Sequence, residues 1–566
     1  MKANKQDNKG KNWLKKETRP YRASIILLTV FTVLATLVSL AFAYLVSYVI
    51  NSAKDGKEKQ LWIFSGILLA LIILKIFLKT FDGFYAEKLR SRFTSNLRTR
   101  TFGKILRSDY AHITSYHSGE LINRLTTDIQ EVSADTVGLL PALVGMSVQC
   151  VGSIIALLTI EPLFTAIYVV CGIVFAGVAI LFRKQIKKRQ KEFLRADGEH
   201  RSFMQESVGS LMTIKAYAAE NKSEIKCSDF AQQYYDKRMR RNYVRSGMNA
   251  IFSLLSNAGL IFAVIWCGVS VFYNNNQDYG SILSIVLLLM QFQQPLTGFS
   301  SVIPAYYSRL ASGERLAELE NLPEEDSSFN GKEALAYSNL STICFNNVSF
   351  TYGREIVLTN VNAEIEKGEI VCLTGSSGSG KSTLFKLLLS IFTPTAGDIH
   401  LKDTDNNQIP LSIKNRELFA YVPQGNFLFS GTIYENLTFF SSENNAEILN
   451  ERINAALRTA CAEFVFDLPD GLNTTLSERG TGLSEGQMQR LAIARALVSE
   501  RPILLFDEAT SALDAVTEEQ LLQNLKSLSG KTCLIVTHRP AALAIADKTF
   551  ALTDGKLQIA QKNELA

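Results

Sequence analysis

Residues Gly375, Ser376, Ser377, Gly378, Ser379, Gly380, Lys381, Ser382 and Thr383 interleave glycines with small hydroxyl side chains and place a lysine after the last glycine. That composition suits a chain of phosphates. Glycines let the backbone wrap close to an anion, so that consecutive N–H groups and a helix N-terminus face the negative charge. The apolar run Ile370–Thr374 before the loop reads as a strand and Thr383–Ser390 after it as a helix, which is the setting a P-loop needs. Lys381 would then reach the β- and γ-phosphates of ATP, and Ser382 would ligate Mg²⁺. A second apolar strand, Ile503–Phe506, ends in Asp507 and Glu508. Two acids at a strand end fit one in the Mg²⁺ shell, Asp507, and one that orients and deprotonates the attacking water, Glu508. A solvated acidic turn is the bland alternative, and the P-loop upstream argues against it.

Between these motifs lies Leu483-Ser484-Glu485-Gly486-Gln487, followed at once by the helical run Met488–Val498. The pentapeptide resembles the signature of ABC ATPases, which other P-loop ATPases lack. The resemblance implies roles for further residues. Tyr352 matches the aromatic that stacks on adenine, and Gln424 (in Val422-Pro-Gln) matches the Q-loop glutamine, with a place beside the metal. Asp514 lies in the D-loop match Ser511-Ala-Leu-Asp, and His538 matches the switch histidine of the γ-phosphate. Glu478-Arg479-Gly480 looks like the loop that precedes the signature in exporters. Ser484 and the N–H groups around Gly486 and Gln487 start a helix, so they too form an anion site. In this family that site closes on ATP held by another subunit's P-loop, so two chains are expected to work together. The signature ordinarily carries two glycines, and Glu485 replaces the first. This departure fits a homodimer, which is the first reading, and it fits half of a heterodimer with one degenerate site.

These motifs need a domain to hold them and something to drive. At 566 residues the chain exceeds one compact core. Six apolar runs reach the ~20 helical residues that cross a bilayer; they lie near Ala23–Ile50, Leu61–Phe81, Val137–Ile160, Leu163–Phe182, Met248–Tyr273 and Ile282–Tyr307. The connections 82–136 and 183–247 are long and basic, including Arg90, Arg92, Arg98, Arg100, Arg183, Lys184, Lys187 and Lys188, whereas others, such as Asn274–Gly280, are short. The positive-inside rule therefore puts the N-terminus, both long connections and the ATPase domain in the cytoplasm, with a plasma-membrane, multi-pass location expected. Apolar stripes such as Phe102, Ile105, Leu106 and Ile113 read as spans continuing into the cytoplasm. Tyr116–Asp128, with Gly119, Glu120 and Arg124, and Gln205–Glu220 resemble the intracellular loops of ABC exporters. That resemblance implies short coupling helices near Ala111–His117 and Ser207–Met212.

The expected fold is an all-α six-helix transmembrane domain followed by an α/β P-loop ATPase domain with a mainly parallel sheet. Its expected divisions are a basic segment 1–22, a transmembrane domain 23–320, a linker 321–341 and a nucleotide-binding domain 342–566. The basic start is followed by too long a span and no small-residue cleavage site, so a signal peptide is not expected, and with about 22 residues before the first span a peptide exporter with an N-terminal protease domain is not expected either. Net charge is only +5 and follows the membrane pattern, so nucleic acid is not an expected partner. The cysteines stand singly with no CxxC spacing, which suits buried thiols. The resemblance implies ATP-driven export or flipping of a small amphipathic substrate, with an ATP-gated channel on the same scaffold as the alternative. Six spans exclude a soluble DNA-repair ATPase, and the fused order argues against an importer. Lys75 either snorkels or lines a cavity, and Gln291, Gln293 and Gln294 either meet substrate or bond neighbouring helices.

Overall fold

A computed structural model describes residues 2–273, 279–325, 335–425, 428–477, 482–528 and 530–560. Most of the short connection at 274–280, the middle of the expected linker and Glu478-Arg479-Gly480 lie outside the described residues. The chain divides into two compact units, residues 1–103 with 118–321, and residues 104–117 with 322–566. Its first helices are α1 (Lys2–Thr18), α2 (Arg22–Lys54), α3 (Glu58–Arg107), α4 (Tyr110–Ile113), α5 (Ser118–Asn123), α6 (Ile129–Ile160), α7 (Pro162–Gly209), α8 (Leu211–Ala216), α9 (Glu220–Tyr273) and α10 (Tyr279–Glu320).

Helices α2, α3, α6, α7, α9 and α10 carry the six apolar runs. α3 has 50 residues, which at ~1.5 Å per residue is about 75 Å, more than twice a hydrocarbon core. The spans do continue beyond a bilayer as helix. Among the described residues, the stretches 10–54, 58–107 and 118–160 have the length and hydropathy to cross a membrane. On α3, Trp62, Ile63, Phe77 and Phe84 are 60–70% exposed, a density of bare apolar surface that marks a membrane or partner face. The second short helix, α8, sits four residues beyond its expected start at Ser207, because α7 runs unbroken to Gly209 and the chain turns at Ser210.

Charged residues within the loop patterns tie the first unit together. Arg124 is buried, pairs with Glu120 and Glu318, and donates to the Arg315 carbonyl at 2.7 Å. Asp128, also buried, accepts two bonds from the Arg315 guanidinium at 2.6 and 2.7 Å. This fork-to-carboxylate pair fixes the start of α6 against the end of α10. Arg124 and Asp128 are therefore structural fasteners within this unit. The Lys75 Nζ donates to Ser39 Oγ of α2 at 3.0 Å, so its charge is met by a neighbouring helix. Gln291 Nε2 donates to the Ser39 carbonyl at 2.9 Å, and Gln293 reaches the Tyr168 hydroxyl at 3.5 Å, so both bond neighbouring helices. At the N-terminus Trp13 and Leu14 are buried against Leu310 and Leu316 of α10, and Arg100 bridges Glu17 and Glu320.

The second unit holds β1 (Leu340–Tyr352), β2 (Glu355–Glu366), β3 (Ile370–Thr374), α11 (Lys381–Leu388), β4 (Ala396–Asp403), β5 (Gln408–Pro410) and β6 (Phe419–Val422). It continues through β7 (Gly431–Thr432), α12 (Ile433–Thr438), α13 (Ala446–Thr459), β8 (Thr475–Leu476), α14 (Glu485–Val498), β9 (Ile503–Asp507) and α15 (Ala515–Lys526). The chain closes with β10 (Thr532–Val536), α16 (Pro540–Ile545), β11 (Lys548–Thr553) and β12 (Lys556–Ile559). A six-stranded sheet runs β12-β11-β3-β10-β9-β6, parallel from β11 to β6. β3, β9 and β10 are buried at every position, which is why they read as continuous apolar runs rather than alternating ones. A separate antiparallel sheet, β2-β1-β4-β5, adds a layer that the alternation of strands and helices did not announce. α4 and its flanks belong to this unit: Asp109 N–H donates to the Pro323 carbonyl at 2.9 Å, and the Tyr110 and Phe392 rings lie 5.8 Å apart.

Candidate functional site

Four neighbouring parallel strands end on one edge of the sheet. β3 leads into the glycine-rich loop, β10 into Thr537 and His538, β9 into Asp507 and Glu508, and β6 into Pro423 and Gln424. In parallel register Val536 stands opposite Asp507 and Leu373 opposite Val536, so residues more than a hundred positions apart share one crevice. Ligands of open α/β sheets bind at that carboxyl edge.

The loop itself follows from its glycines. Gly375 has φ +146°, and a Cβ there would stand 2.4 Å from the Leu552 carbonyl oxygen, so no side chain fits. Ser376, Ser377 and Gly378 are exposed at the tip, and Gly380 caps α11 in the left-handed region. Lys381 is 6% exposed and its ammonium donates to the Gly375 and Ser376 carbonyls at 2.6 and 2.9 Å, which holds the charge across the loop. Ser379 Oγ is buried and has no partner among the described residues. Thr383 is buried, and the Tyr352 hydroxyl approaches it at 3.4 Å. The Tyr352 ring is 39% exposed and rests edge-on against Phe350 and Phe392 at 4.9 and 5.4 Å, leaving a face open for stacking.

Asp507 is 3% exposed. Burial pushes its carboxyl above the usual range, and hydrogen bonds from Ser382 and Tyr421 pull against that shift. The Tyr421 hydroxyl donates to Asp507 Oδ2 at 3.1 Å. Glu508 has φ +51°, a conformation rare for a side-chain-bearing residue. Its N–H donates to the Val536 carbonyl at 3.1 Å, and its Oε2 accepts from Gln424 Nε2 at 2.8 Å. A buried carboxylate bonded to the Ser382 hydroxyl offers the all-oxygen donors that a small hard cation takes, so these residues fit Mg²⁺. His538 is exposed beside them.

Ser484 caps α14: its Oγ accepts from the Gln487 N–H at 3.2 Å, and the Gln487 side chain accepts from the Ser484 N–H at 2.8 Å. This reciprocal box spends two of the helix-start donors. Glu485 is the first helical residue and its side chain is exposed, a favourable end for a carboxylate. At Gly486 a Cβ would stand 2.9 Å from the Ala512 carbonyl oxygen, so the helix and the segment 511–513 are in backbone contact. Asp514 caps α15 through the Thr517 N–H at 3.0 Å.

Several residues went unread in the sequence. Gln489 is buried; it donates to Ser511 Oγ and accepts from the Ala512 N–H, both at 2.9 Å. Arg539 donates to the Leu513 and Ser511 carbonyls and pairs at 2.9 Å with Glu518, itself buried and bonded to Thr510. Gln489 carried a signal, being a polar residue in helical register with the buried Ala492 and Ala496. Tyr421 carried none beyond its place before Gln424.

Comparison with known proteins gives the family of both parts of the chain. Residues 25–296 match the family described as ABC transporter transmembrane region, and residues 358–511 match the one described as ABC transporter. A putative export ATP-binding/permease protein of Rickettsia bellii is 30% identical over 507 residues, covering 87% of this chain and 85% of that one. The ATP-dependent lipid A-core flippase of Albidiferax ferrireducens is 27% identical over 543 residues, covering 95% and 92%. The structure of a bacterial Atm1-family exporter with ATP bound superposes with a TM-score of 0.77 at 24% identity, over 97% of this chain and 96% of that one.

Proposed function

As the chain belongs to the ABC transporter family, with a membrane domain fused to an ATPase domain in the exporter arrangement, we propose that it is one half of a dimer that exports or flips an amphipathic substrate. ATP hydrolysis is coupled to that transport. Tyr352 takes the adenine ring, and residues 375–383 take the phosphates, with Lys381 on the β- and γ-phosphates. Ser382 and Asp507 would hold Mg²⁺, with Gln424 beside it; the ion would supply charge neutralisation at the phosphates and a template for the oxygens. Glu508 orients and deprotonates the attacking water, and His538 steadies the γ-phosphate. Ser484, the N–H of Gly486 and the Gln487 side-chain amide close on ATP held by the partner subunit. Loss of the γ-phosphate then releases the two ATPase domains, and the membrane cavity changes the side it faces.

The observation that carries this reading is the 2.8 Å bond from Gln424 to Glu508 beside the buried Asp507. It gathers the acid pair at the strand edge that also bears the phosphate loop. The membrane is the plasma membrane, with both the N-terminus and the ATPase domain in the cytoplasm. The partner is a second copy of this chain: exposed Glu485 caps its own helix electrostatically and demands no complementary signature from a different subunit. The flippase and export relatives support the amphipathic cargo class. Reconstituting the full-length chain alone in liposomes tests the proposal. We expect ATPase activity and ATP-dependent movement of fluorescent lipids or amphipathic dyes, with both reduced at least ~100-fold in Glu508→Gln. Flux that survives in Glu508→Gln would support a nucleotide-gated channel instead, and ATPase that appears only with a second type of subunit would support a heterodimer.

A further inference from the structure

Asp507 and Glu508 end strand β9, and each is held by a side chain from the end of the neighbouring strand. Tyr421 donates to Asp507 Oδ2 at 3.1 Å, and Gln424, three residues later, donates to Glu508 Oε2 at 2.8 Å. The parallel register sets Tyr421 opposite Leu505 and Val422 opposite Phe506, so the two contacts reach forward from β6 to the acids that follow. We propose that Tyr421 is a positioning residue for the metal ligand Asp507, and that with Gln424 it makes the end of β6 a two-point hold on both acids. The inference rests on the proposed role of Asp507 and adds a residue to that site.

Three features fit Tyr421 for this work. Asp507 is 3% exposed, so water cannot substitute for a missing donor. The Ser382 hydroxyl also bonds that carboxylate, and a donor at Oδ2 fixes which oxygen remains for a metal. Outer donors of this kind orient metal ligands, and their loss typically weakens metal binding 10–100-fold. The Tyr421 ring is itself set edge-on against the buried Phe385 at 6.3 Å. A shift of the β6 end would move both acids together, whereas a shift of Gln424 alone would free only Glu508.

Free Mg²⁺ is titrated into full-length protein held with trinitrophenyl-ATP, and the midpoint of the metal-dependent gain in nucleotide fluorescence is read. Nucleotide affinity in EDTA is measured on the same samples. Tyr421→Phe keeps the ring and its packing; we expect its Mg²⁺ midpoint to rise about tenfold or more, with affinity in EDTA within twofold of wild type. Asp507→Asn should abolish the metal-dependent gain. A Tyr421→Phe midpoint within twofold of wild type, alongside an altered Asp507→Asn, overturns the positioning role and leaves the role of Asp507 standing. An equal loss of affinity with and without Mg²⁺ overturns it as well, because a merely structural hydroxyl would act so. An Asp507→Asn midpoint equal to wild type overturns the reading of Asp507 and this inference with it.

Discussion

Replacing Gly486 by alanine adds one methyl group at the point where α14 meets the segment 511–513. The new Cβ would stand 2.9 Å from the Ala512 carbonyl oxygen, about 0.5 Å short of the 3.4 Å at which ordinary contact begins. The helix cannot simply lean away. Gln489, one turn along, is bonded to Ser511 Oγ and to the Ala512 N–H, both at 2.9 Å, so a shift strains two part-buried hydrogen bonds. Overpacking of this kind costs about 1–3 kcal/mol. Alanine returns up to ~1 kcal/mol through helix propensity, less here in the first turn. The net destabilisation is therefore about 0–3 kcal/mol. Catalysis should suffer more, because the N–H groups at the start of α14 must meet a phosphate in register, and a misplacement near 1 Å can cost ~10²-fold. For half that displacement we expect turnover in reconstituted protein to fall at least ~10-fold, with nucleotide affinity of the P-loop within twofold of wild type. Glu485→Ala is the control: its side chain is exposed, and turnover should stay within about threefold. Wild-type turnover in Gly486→Ala, or an equal loss in Glu485→Ala, would refute the reasoning from backbone contact.

Lys381→Ala should weaken nucleotide binding itself, measured by equilibrium titration, because it removes the charge now held across the loop by the Gly375 and Ser376 carbonyls. Tyr352→Ala should weaken ATP binding by about 1–3 kcal/mol, the worth of a base–aromatic stack; Tyr352→Phe should be nearly silent, since the 3.4 Å contact of the hydroxyl with Thr383 is long. Arg539→Ala strands the buried Glu518 with Thr510 as its remaining side-chain partner. Allowing for the partial exposure of Arg539, we expect about 2–3 kcal/mol of destabilisation in thermal unfolding. Adding Glu518→Gln should recover part of it.

The amino-acid sequence alone determined the chemistry and the order of the parts. A glycine-rich loop between a strand and a helix is a local structure, closed within a dozen residues, so Gly375–Thr383 could be read with its neighbours Ile370–Thr374 and Thr383–Ser390. The bilayer imposes an equally local rule, and the six apolar runs obey it. Span extension was legible too, because helical periodicity persists through Phe102 and Leu106. What pairs distant residues was decided by tertiary structure. The β3-β10-β9-β6 order places the loop, His538, the acid pair and Gln424 side by side, and no run of residues encodes which strand lies next to which. The second sheet escaped notice because its β1, bulged and partly solvent-facing, lacks a clean two-residue alternation. Tyr421, Gln489 and Arg539 are ordinary residues until a partner elsewhere in the chain arrives within hydrogen-bond reach. Their donors acquire meaning only where burial removes water as an alternative partner. The same holds for Lys75: hydropathy sets the price of a charge among apolar residues, while the position of Ser39 on the adjacent helix decides how that charge is met.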